Sequence, residues 1–187
     1  SYKWAKTDSY ESDAFKDKAR TWLIERYCNN DYKNAAKWFE GPTPKKILDA
    51  GCGSGFSASL LFADYLNSHD YLGVDISDAV KVGEKRFEQL GYSGKFLQDD
   101  IQNLSLDKES FDIIFSEGVM HHTDSTEKTL ISLSKFLKKD GLFLFYVYRK
   151  KADVREFTDD HVRKQLSTMN NDEAWNALYP LSKLGKE

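Results

Sequence analysis

The residues best suited to chemistry lie in a short glycine-rich segment. An apolar run ends at Asp49, and glycines then occupy alternate positions at Gly51, Gly53 and Gly55. A helical pattern begins directly afterwards, so the spacing predicts a strand, a tight turn and the start of a helix. Glycines let a ligand approach the backbone closely, and the first turn of a helix offers unpaired N–H groups. The segment is therefore typical of a site for a nucleotide-like ligand.

Two details of this turn separate the ligand classes that use glycine-rich loops. A phosphate-binding loop needs Lys followed by Ser or Thr, and no Lys follows Gly55. A dinucleotide fingerprint needs a small residue at position 56, where this chain has Phe56. Asp49 is poorly placed beside a pyrophosphate, whereas it suits a ligand that carries positive charge. The turn therefore favours a cationic ligand over a phosphate.

The segment Asp49-Ala50-Gly51-Cys52-Gly53-Ser54-Gly55 resembles the first motif of the class I S-adenosylmethionine-dependent methyltransferases, which reads acid-x-Gly-x-Gly-x-Gly. Their cofactor combines a sulfonium, an ammonium, a carboxylate and an adenosine. The resemblance implies that S-adenosylmethionine is the cofactor. It also implies that its methionine part is lined by Asp49, Gly51, Cys52, Gly53 and Gly55.

Acidic residues also end the next predicted strands. Asp75 ends the second strand, Asp99 and Asp100 follow the third, and Ser116-Glu117 ends the fourth. In a parallel sheet these strand ends share one edge, and ligands bind outside that edge. A single acid there is readily explained as a loop residue or a helix cap, but the set predicts a ligand site.

The resemblance assigns these residues roles in cofactor binding. Asp75, about twenty residues after the turn, is expected to accept from both ribose hydroxyls, and Ile76 is expected to pack on adenine. Asp100 is expected to accept from the adenine amino group, and the Ile101 N–H to meet a ring nitrogen. Asp99 is the alternative to Asp100 if the alignment slips by one residue.

The fourth strand runs into Ser116-Glu117-Gly118-Val119-Met120-His121-His122, a segment similar to one found beside the transferable methyl group in small-molecule methyltransferases. We expect Ser116 on the cofactor side, and Glu117, His121 and His122 in catalysis. A histidine would take a proton from an acceptor hydroxyl, or would only line the pocket. Glu117 would orient the substrate or the ammonium group, or would only form a loop hydrogen bond. The carboxylate spacing does not resemble a dedicated metal site, so we expect no metal.

The elements that must position these residues alternate along the chain after the break at Gly41-Pro42-Thr43-Pro44. Apolar runs predict strands at residues 46–50, 71–74, 95–98, 111–116 and 142–148. Helical patterns between them predict helices at residues 57–66, 77–90 and 126–137. The alternation predicts an α/β fold, a doubly wound, Rossmann-like, mostly parallel sheet with helices on both faces.

Three regions follow from this pattern. Residues 1–44 are expected to form a helical N-terminal cap or lid, with Tyr2, Trp4 and Tyr10 outside the regular helical spacing. Residues 45–150 are expected to form the cofactor-binding core. Residues 151–187 show helical patterns without a strand, although the sheet of the family usually has seven strands. We expect either a fragment of a longer protein, which we favour, or a helical insertion before strands that are absent.

Composition excludes several classes of function. The chain has 187 residues and a formal net charge of −3, so it lacks the basic surface expected for nucleic acid or an anionic membrane. Its two cysteines, Cys28 and Cys52, have neither disulfide-framework nor zinc spacing. No apolar run approaches membrane-spanning length. We expect a cytoplasmic protein with no nucleic-acid or membrane partner, an undetermined oligomeric state, and His69 and His161 at its surface.

The sequence predicts methyl transfer from S-adenosylmethionine to a small molecule by in-line displacement, with an O, N or C nucleophile. The tetrapeptide Asn/Asp-Pro-Pro-Tyr/Phe, expected for methylation of base amines in nucleic acid, does not follow the fourth strand. A non-catalytic module that binds the cofactor or a nucleoside is an alternative. A nucleotide-dependent oxidoreductase is disfavoured by Asp49 and Phe56.

Overall fold

The computed structural model describes residues 12–149 and 153–184. Helix α1 spans Asp13–Tyr27 and precedes a 3-10 helix at Tyr32–Phe39. Two further 3-10 turns lie at Leu66–Ser68 and Met120–His122. The other elements, in chain order, are β1 (Lys46–Ala50), α2 (Phe56–Leu61), β2 (Asp70–Asp75), α3 (Val80–Leu90), β3 (Lys95–Gln98), β4 (Phe111–Glu117), α4 (Thr126–Ser134), β5 (Leu137–Tyr146), α5 (Asp153–Leu166) and α6 (Asn171–Leu184).

The five strands of the described residues form one parallel sheet in the order β3-β2-β1-β4-β5. β1 lies at the centre, and the strand order changes direction there, between β1 and β4. In such sheets ligands bind at this switch point, outside the carboxyl ends of the strands. The architecture confirms the predicted α/β, doubly wound, Rossmann-like fold.

Alternate residues of the central strands pack against helices on opposite faces of the sheet. On one face, Ile47 and Phe115 pack in a cluster with Phe62, which follows α2, and with Leu23 of α1. The cluster on the other face includes Leu48, Ala50, Ile114 and, from α4, Leu133. Because both faces are buried, these strands are continuous apolar runs rather than alternating patterns.

The boundaries of three helices differ from the predictions, and one of them, α4, ends at Ser134 rather than at residue 137. α3 ends at Gly91 as predicted, where a φ of +70° gives a left-handed cap. It begins at Val80 rather than Ser77, because Ser77 forms a turn in which it binds the carboxylate of Asp75. α2 spans Phe56–Leu61 rather than residues 57–66, and a separate 3-10 turn follows it at Leu66–Ser68.

The fifth strand begins earlier than the sequence predicts. β5 starts at Leu137, where a helix was predicted to end, and residues 138–141 form a bulge within it. Phe111 pairs with Leu137 and Ile113 pairs with Leu142, so β5 has more residues than β4 between the two pairs. The charged Lys-Lys-Asp-Gly segment therefore lies within the strand, whereas the sequence predicts it between a helix and the strand.

The chain divides into two compact units between Val147 and Tyr148. The first unit contains the sheet with α1 to α4, and the second contains α5 and α6. The lid residues predicted from the sequence, Tyr2, Trp4 and Tyr10, lie outside the described residues. Within the described part of the chain, no helix is both long enough and apolar enough to cross a membrane.

Candidate functional site

Three acidic side chains share one face of the sheet at its carboxyl edge. Asp49 of β1 pairs in register with Gly73 of β2 and with Phe115 of β4. Asp75 and Glu117 lie two residues further along those neighbouring strands, so all three side chains leave the sheet on the same side. We call these three residues the carboxylate trio.

The glycine turn connects β1 to α2 beside the trio. Gly51 N and Cys52 N both donate to the Val74 carbonyl, at 2.7 and 2.9 Å, which fixes the turn against β2. The three glycines of the turn have φ values of +84°, +53° and +66°, a region that other residues rarely adopt. A Cβ atom on Gly51 would lie 2.3 Å from Val119 Cγ1. Glycine is therefore required there both for backbone conformation and for close packing.

Asp49 is buried at the start of this turn, with 3% of its surface exposed. The Tyr71 hydroxyl donates to Asp49 Oδ2 at 2.7 Å. Burial raises the pKa of Asp49 to about 7; the hydrogen bond from Tyr71 opposes the rise, and the charges of Asp75 and Glu117 add to it. Burial also raises the pKa of Tyr71, so the phenol stays a neutral donor. Asp49 is therefore placed to change its charge near neutral pH.

Asp75 holds the glycine turn and the loop after β2 together. Gly53 N donates to Asp75 Oδ2 at 2.9 Å, and Ser77 N and Oγ donate to Oδ1 at 2.9 and 2.6 Å. A carboxylate offers about four lone-pair sites, so three donors leave room for a ligand hydroxyl. Ile76 beside it is 70% exposed, which leaves an apolar surface next to the carboxylate.

Asp99, Asp100 and Ile101 follow β3 in a turn. Asp100 N donates to Asp99 Oδ1 at 2.8 Å. Gln102 N and Asn103 Nδ2 donate to the two oxygens of Asp100 at 2.9 and 2.8 Å, and these bonds, chiefly that of Gln102 N, hold the pKa of Asp100 below its usual range. The Ile101 side chain is buried in the core on the α4 side of the sheet. The contact predicted for this residue, with an adenine ring nitrogen, uses only its backbone N–H.

Ser116 lies inside the sheet at the end of β4. Its hydroxyl is fully buried and donates to the Ala50 carbonyl at 2.9 Å. This bond ties β4 to the last residue of β1, directly before the glycine turn. The hydroxyl therefore supports the turn, and a contact between Ser116 and the cofactor stays a prediction.

Glu117 anchors α1 to the carboxyl edge of the sheet. Arg26 Nη1 donates to Glu117 Oε1, and the Tyr27 hydroxyl donates to Oε2. The Arg26 guanidinium also lies 3.6 Å from the ring centroid of Tyr146 on β5, and the Tyr27 ring meets Phe115 edge-on at 5.6 Å. Burial, and then the bond to Glu117, raise the pKa of Tyr27, so its hydroxyl stays a donor. Both carboxylate oxygens are occupied, which suits an anchor better than a proton acceptor.

His121 and His122 lie together in the 3-10 turn that follows β4. Their ring centroids are 4.0 Å apart, with His121 partly buried and His122 exposed. His122 N donates to the Val119 carbonyl at 2.8 Å. Because the Val119 side chain lies against Gly51, the histidine pair adjoins the glycine turn.

Two residues of the site were not predicted from the sequence. Arg86 of α3 is buried, and its Nε and Nη2 donate to the carbonyl and Oγ of Ser54 at 2.9 and 3.2 Å. Its guanidinium lies 5.3 Å from the ring centroid of Phe56. An arginine on a helix is usually a solvated residue, so its spacing gave no signal. Tyr71, the donor to Asp49, is indistinguishable in sequence from any aromatic strand residue.

The predicted surface position of His69 is wrong. His69 is 7% exposed, its Nδ1 accepts from Lys45 N at 2.9 Å, and its ring stacks on Phe39 with centroids 4.7 Å apart. Burial lowers the pKa of His69, which keeps the imidazole a neutral acceptor. His161 is exposed, as predicted.

The chemistry of this edge fits the cofactor that the sequence implies. The carboxylate trio suits a ligand with positive charge, and the exposed Ile76 beside Asp75 suits a planar base attached to a diol. In residues 12–149 and 153–184, no group of three or more His, Cys, Asp or Glu side chains is arranged to hold a metal ion. The carboxylates at this edge therefore match a cationic nucleoside better than a phosphate.

Comparison with known proteins identifies the family. A family model described as a methyltransferase domain matches residues 43–185. The chain belongs to the class I S-adenosylmethionine-dependent methyltransferases. The chain is 28% identical to the uncharacterized methyltransferase YcgJ of Bacillus subtilis over 151 residues, which are 74% of this chain and 56% of YcgJ. The crystal structure of YcgJ aligns with a TM-score of 0.58 at 27% identity, over 72% of this chain and 58% of that chain.

Two further relatives carry more specific names. The phthiotriol/phenolphthiotriol dimycocerosates methyltransferase of Mycobacterium leprae is 28% identical over 130 residues, which are 69% of this chain and 47% of the relative. The plantazolicin methyltransferase BpumL aligns with a TM-score of 0.56 at 22% identity, over 95% of this chain and 61% of BpumL; this is a likeness of fold. The chain spans about half the length of the curated relatives it matches.

Proposed function

We propose that this methyltransferase transfers a methyl group from S-adenosylmethionine to a small-molecule acceptor by in-line displacement. The observation that carries the proposal is the carboxylate trio on one face of the sheet, directly beside the glycine turn. A cofactor with a sulfonium and an ammonium group is favoured there, because the trio offers it the carboxylate of Asp75 and, once ionised, that of Asp49. The structure of BpumL with S-adenosylhomocysteine supports the same cofactor class by fold.

Different residues at this edge bind different parts of the cofactor. Asp75 is assigned to a ribose hydroxyl, through the one acceptor site that its three hydrogen bonds leave open. Ile76 is assigned to the adenine face, while Asp100, or Asp99 one residue earlier, binds the adenine amino group. The Ile101 N–H meets a ring nitrogen. The methionine part lies along the glycine turn, formed by Gly51, Cys52, Gly53 and Gly55, with Asp49 beside its ammonium group.

The acceptor is assigned to the space beside the histidine pair. The cofactor supplies an already activated methyl group, so positioning and exclusion of water account for most of the rate. One of His121 and His122 takes a proton from an acceptor hydroxyl when the acceptor needs to lose one. Glu117 holds α1 in place through Arg26 and Tyr27, so that α1 covers this side of the edge as a cap.

A small-molecule acceptor is favoured over a macromolecule for two reasons. The segment after β4 lacks the tetrapeptide expected for methylation of base amines, and the chain has a net charge of −3. One relative is named as a phthiotriol/phenolphthiotriol dimycocerosates methyltransferase, and one structural neighbour as a plantazolicin methyltransferase. The nucleophile of this acceptor, whether O, N or C, is left to experiment.

Titration calorimetry tests the cofactor assignment. S-adenosylhomocysteine is expected to bind with a dissociation constant in the micromolar range, and NAD is expected not to bind. Binding of NAD without binding of S-adenosylhomocysteine would replace the proposal with an oxidoreductase. A protein that binds S-adenosylhomocysteine but transfers no methyl group to any acceptor would be the non-catalytic module.

A further inference from the structure

Asp49 stands at the centre of an acidic group. The one cation on its own strand, Lys46, lies at the amino end of β1, and the neighbouring strands β2 and β4 carry no Lys or Arg. From β2, Tyr71 and Asp75 face it, and Glu117 faces it from β4. The glycine turn adds the Cys52 thiol, whose pKa is raised by burial and by the charge of Asp49. α2 carries no ionisable side chain.

The remaining charged groups near the trio belong to α1 and α3. Arg86 of α3 is bound to the carbonyl and hydroxyl of Ser54 in the glycine turn. Arg26 is paired with Glu117, and Tyr27 donates to the same carboxylate. The guanidinium therefore compensates Glu117 directly, whereas Asp49 receives only the neutral hydrogen bond from Tyr71. A buried carboxylate between two other carboxylates is costly to ionise unless a cation arrives.

We propose that Asp49 carries a proton in the ligand-free protein and releases it to solvent when the ammonium group of the cofactor binds beside the carboxylate trio. This rests on the proposed function, because the cation is that of S-adenosylmethionine or its product. No other bond forms or breaks: the O–H bond of Asp49 is lost, the proton passes to buffer, and the ammonium keeps its own protons. Cofactor binding is thereby coupled to pH through a residue that touches no acceptor.

Two measurements test the proposal on the whole chain. The first follows the carbon-13 signal of the Asp49 carboxyl against pH in the free protein, assigned by its loss in Asp49→Asn. We expect a midpoint at about pH 7 in the free protein and a midpoint well below that with S-adenosylhomocysteine bound. A free-protein midpoint near the ordinary value, or one that does not move on binding, overturns the proposal.

The second measurement counts protons by calorimetry in buffers of different ionisation enthalpy. S-adenosylhomocysteine is expected to release close to one proton at about pH 6 and almost none at about pH 8, where its own amino group is still mostly charged. Asp49→Asn, which keeps an acceptor for Tyr71, is expected to release none. Asp70→Asn, at the opposite end of β2, is the matched control and is expected to behave as the wild type.

The neutral probe 5′-methylthioadenosine separates the charge effect from the fit of the nucleoside. It lacks the ammonium group, so it is expected to bind without releasing the proton. Proton release that persists in Asp49→Asn assigns the proton elsewhere and overturns the proposal. If S-adenosylhomocysteine fails to bind, the proposed function fails, and the carbon-13 titration of the free protein still decides whether Asp49 is protonated.

Discussion

Replacing Asp49 by Asn tests the electrostatics of the site in the absence of any ligand. In the folded chain the pKa of Asp49 is raised from its ordinary value near 3.8 to about 7. Between these values the folded state binds more protons than the unfolded state, so the free energy of unfolding falls as pH rises. Each pKa unit corresponds to about 1.4 kcal/mol, which sets the total loss at about 4 kcal/mol.

Asn has nearly the same shape, accepts the hydrogen bond from Tyr71 and cannot ionise. Asp49→Asn is therefore expected to be more stable than the wild type at pH 8, by as much as about 4 kcal/mol, and to lose this advantage at pH 4. Urea unfolding monitored by tryptophan fluorescence measures the difference at each pH. Shifts at other groups cancel in this difference, including the lowered pKa values of His69, Asp100 and Asp112.

The result that refutes this reasoning is a stability difference that does not change between pH 4 and pH 8. A wild type that gains stability over Asp49→Asn as pH rises would mean that the folded pKa is depressed. Asp70→Asn serves as the control, because Asp70 is exposed at the other end of β2 and is expected to leave the pH profile unchanged.

Three further substitutions test other parts of the edge. Gly51→Ala is expected to lower stability by about 2 to 4 kcal/mol, whereas Gly91→Ala, with a similar positive φ but open space around its Cβ, is expected to lose only about 1 kcal/mol; equal losses in urea unfolding would remove the steric argument. Glu117→Ala is expected to lose about 2 kcal/mol and Tyr27→Phe about 1 kcal/mol, and unchanged unfolding midpoints for both would mean that the anchor contributes nothing. Asp75→Ala is expected to weaken S-adenosylhomocysteine binding at least about tenfold by calorimetry, and unchanged affinity would contradict the ribose assignment.

The strand ends of the sheet were predictable because they depend on local pattern. Each of these patterns lies within a few neighbouring residues of the sequence. They are the apolar run from Ile47 to Ala50, the alternating glycines, and the acids at the ends of β1, β2 and β4. The predicted limits of β1 and β3 agree with the structure, and the Gly91 cap ends α3 at the predicted residue. Strands joined through a helix form right-handed crossovers and pair in parallel, so the alternation of strands and helices predicts a parallel sheet.

The partners of these residues were not predictable because they are remote in sequence. Tyr27 and Glu117 are 90 residues apart, and only the packing of α1 on the sheet brings them together. The burial of Arg86 and His69 depends on acceptors and rings supplied by other elements, Ser54 for the first and Phe39 for the second. The sequence around Arg86 and around His69 is polar, so the local pattern predicts that both side chains are exposed.

The bulge in β5 shows a different limit of sequence reasoning. Lys-Lys-Asp-Gly has the composition of a turn between a helix and a strand. In the structure Leu137 already pairs with Phe111, because the apolar side chain gains burial by joining the sheet before the bulge. Pairing with a neighbouring strand therefore overrode the local turn signal.

Methyl transfer from S-adenosylmethionine carrying an isotopic label on the methyl group tests the central claim most directly. The wild type is expected to place the label in the small-molecule fraction of a metabolite extract, and Asp75→Ala is expected to reduce that transfer at limiting cofactor. Label recovered only in protein or nucleic acid would contradict the small-molecule assignment. No transfer to any fraction, from a protein that binds S-adenosylhomocysteine, would contradict the assignment as an enzyme.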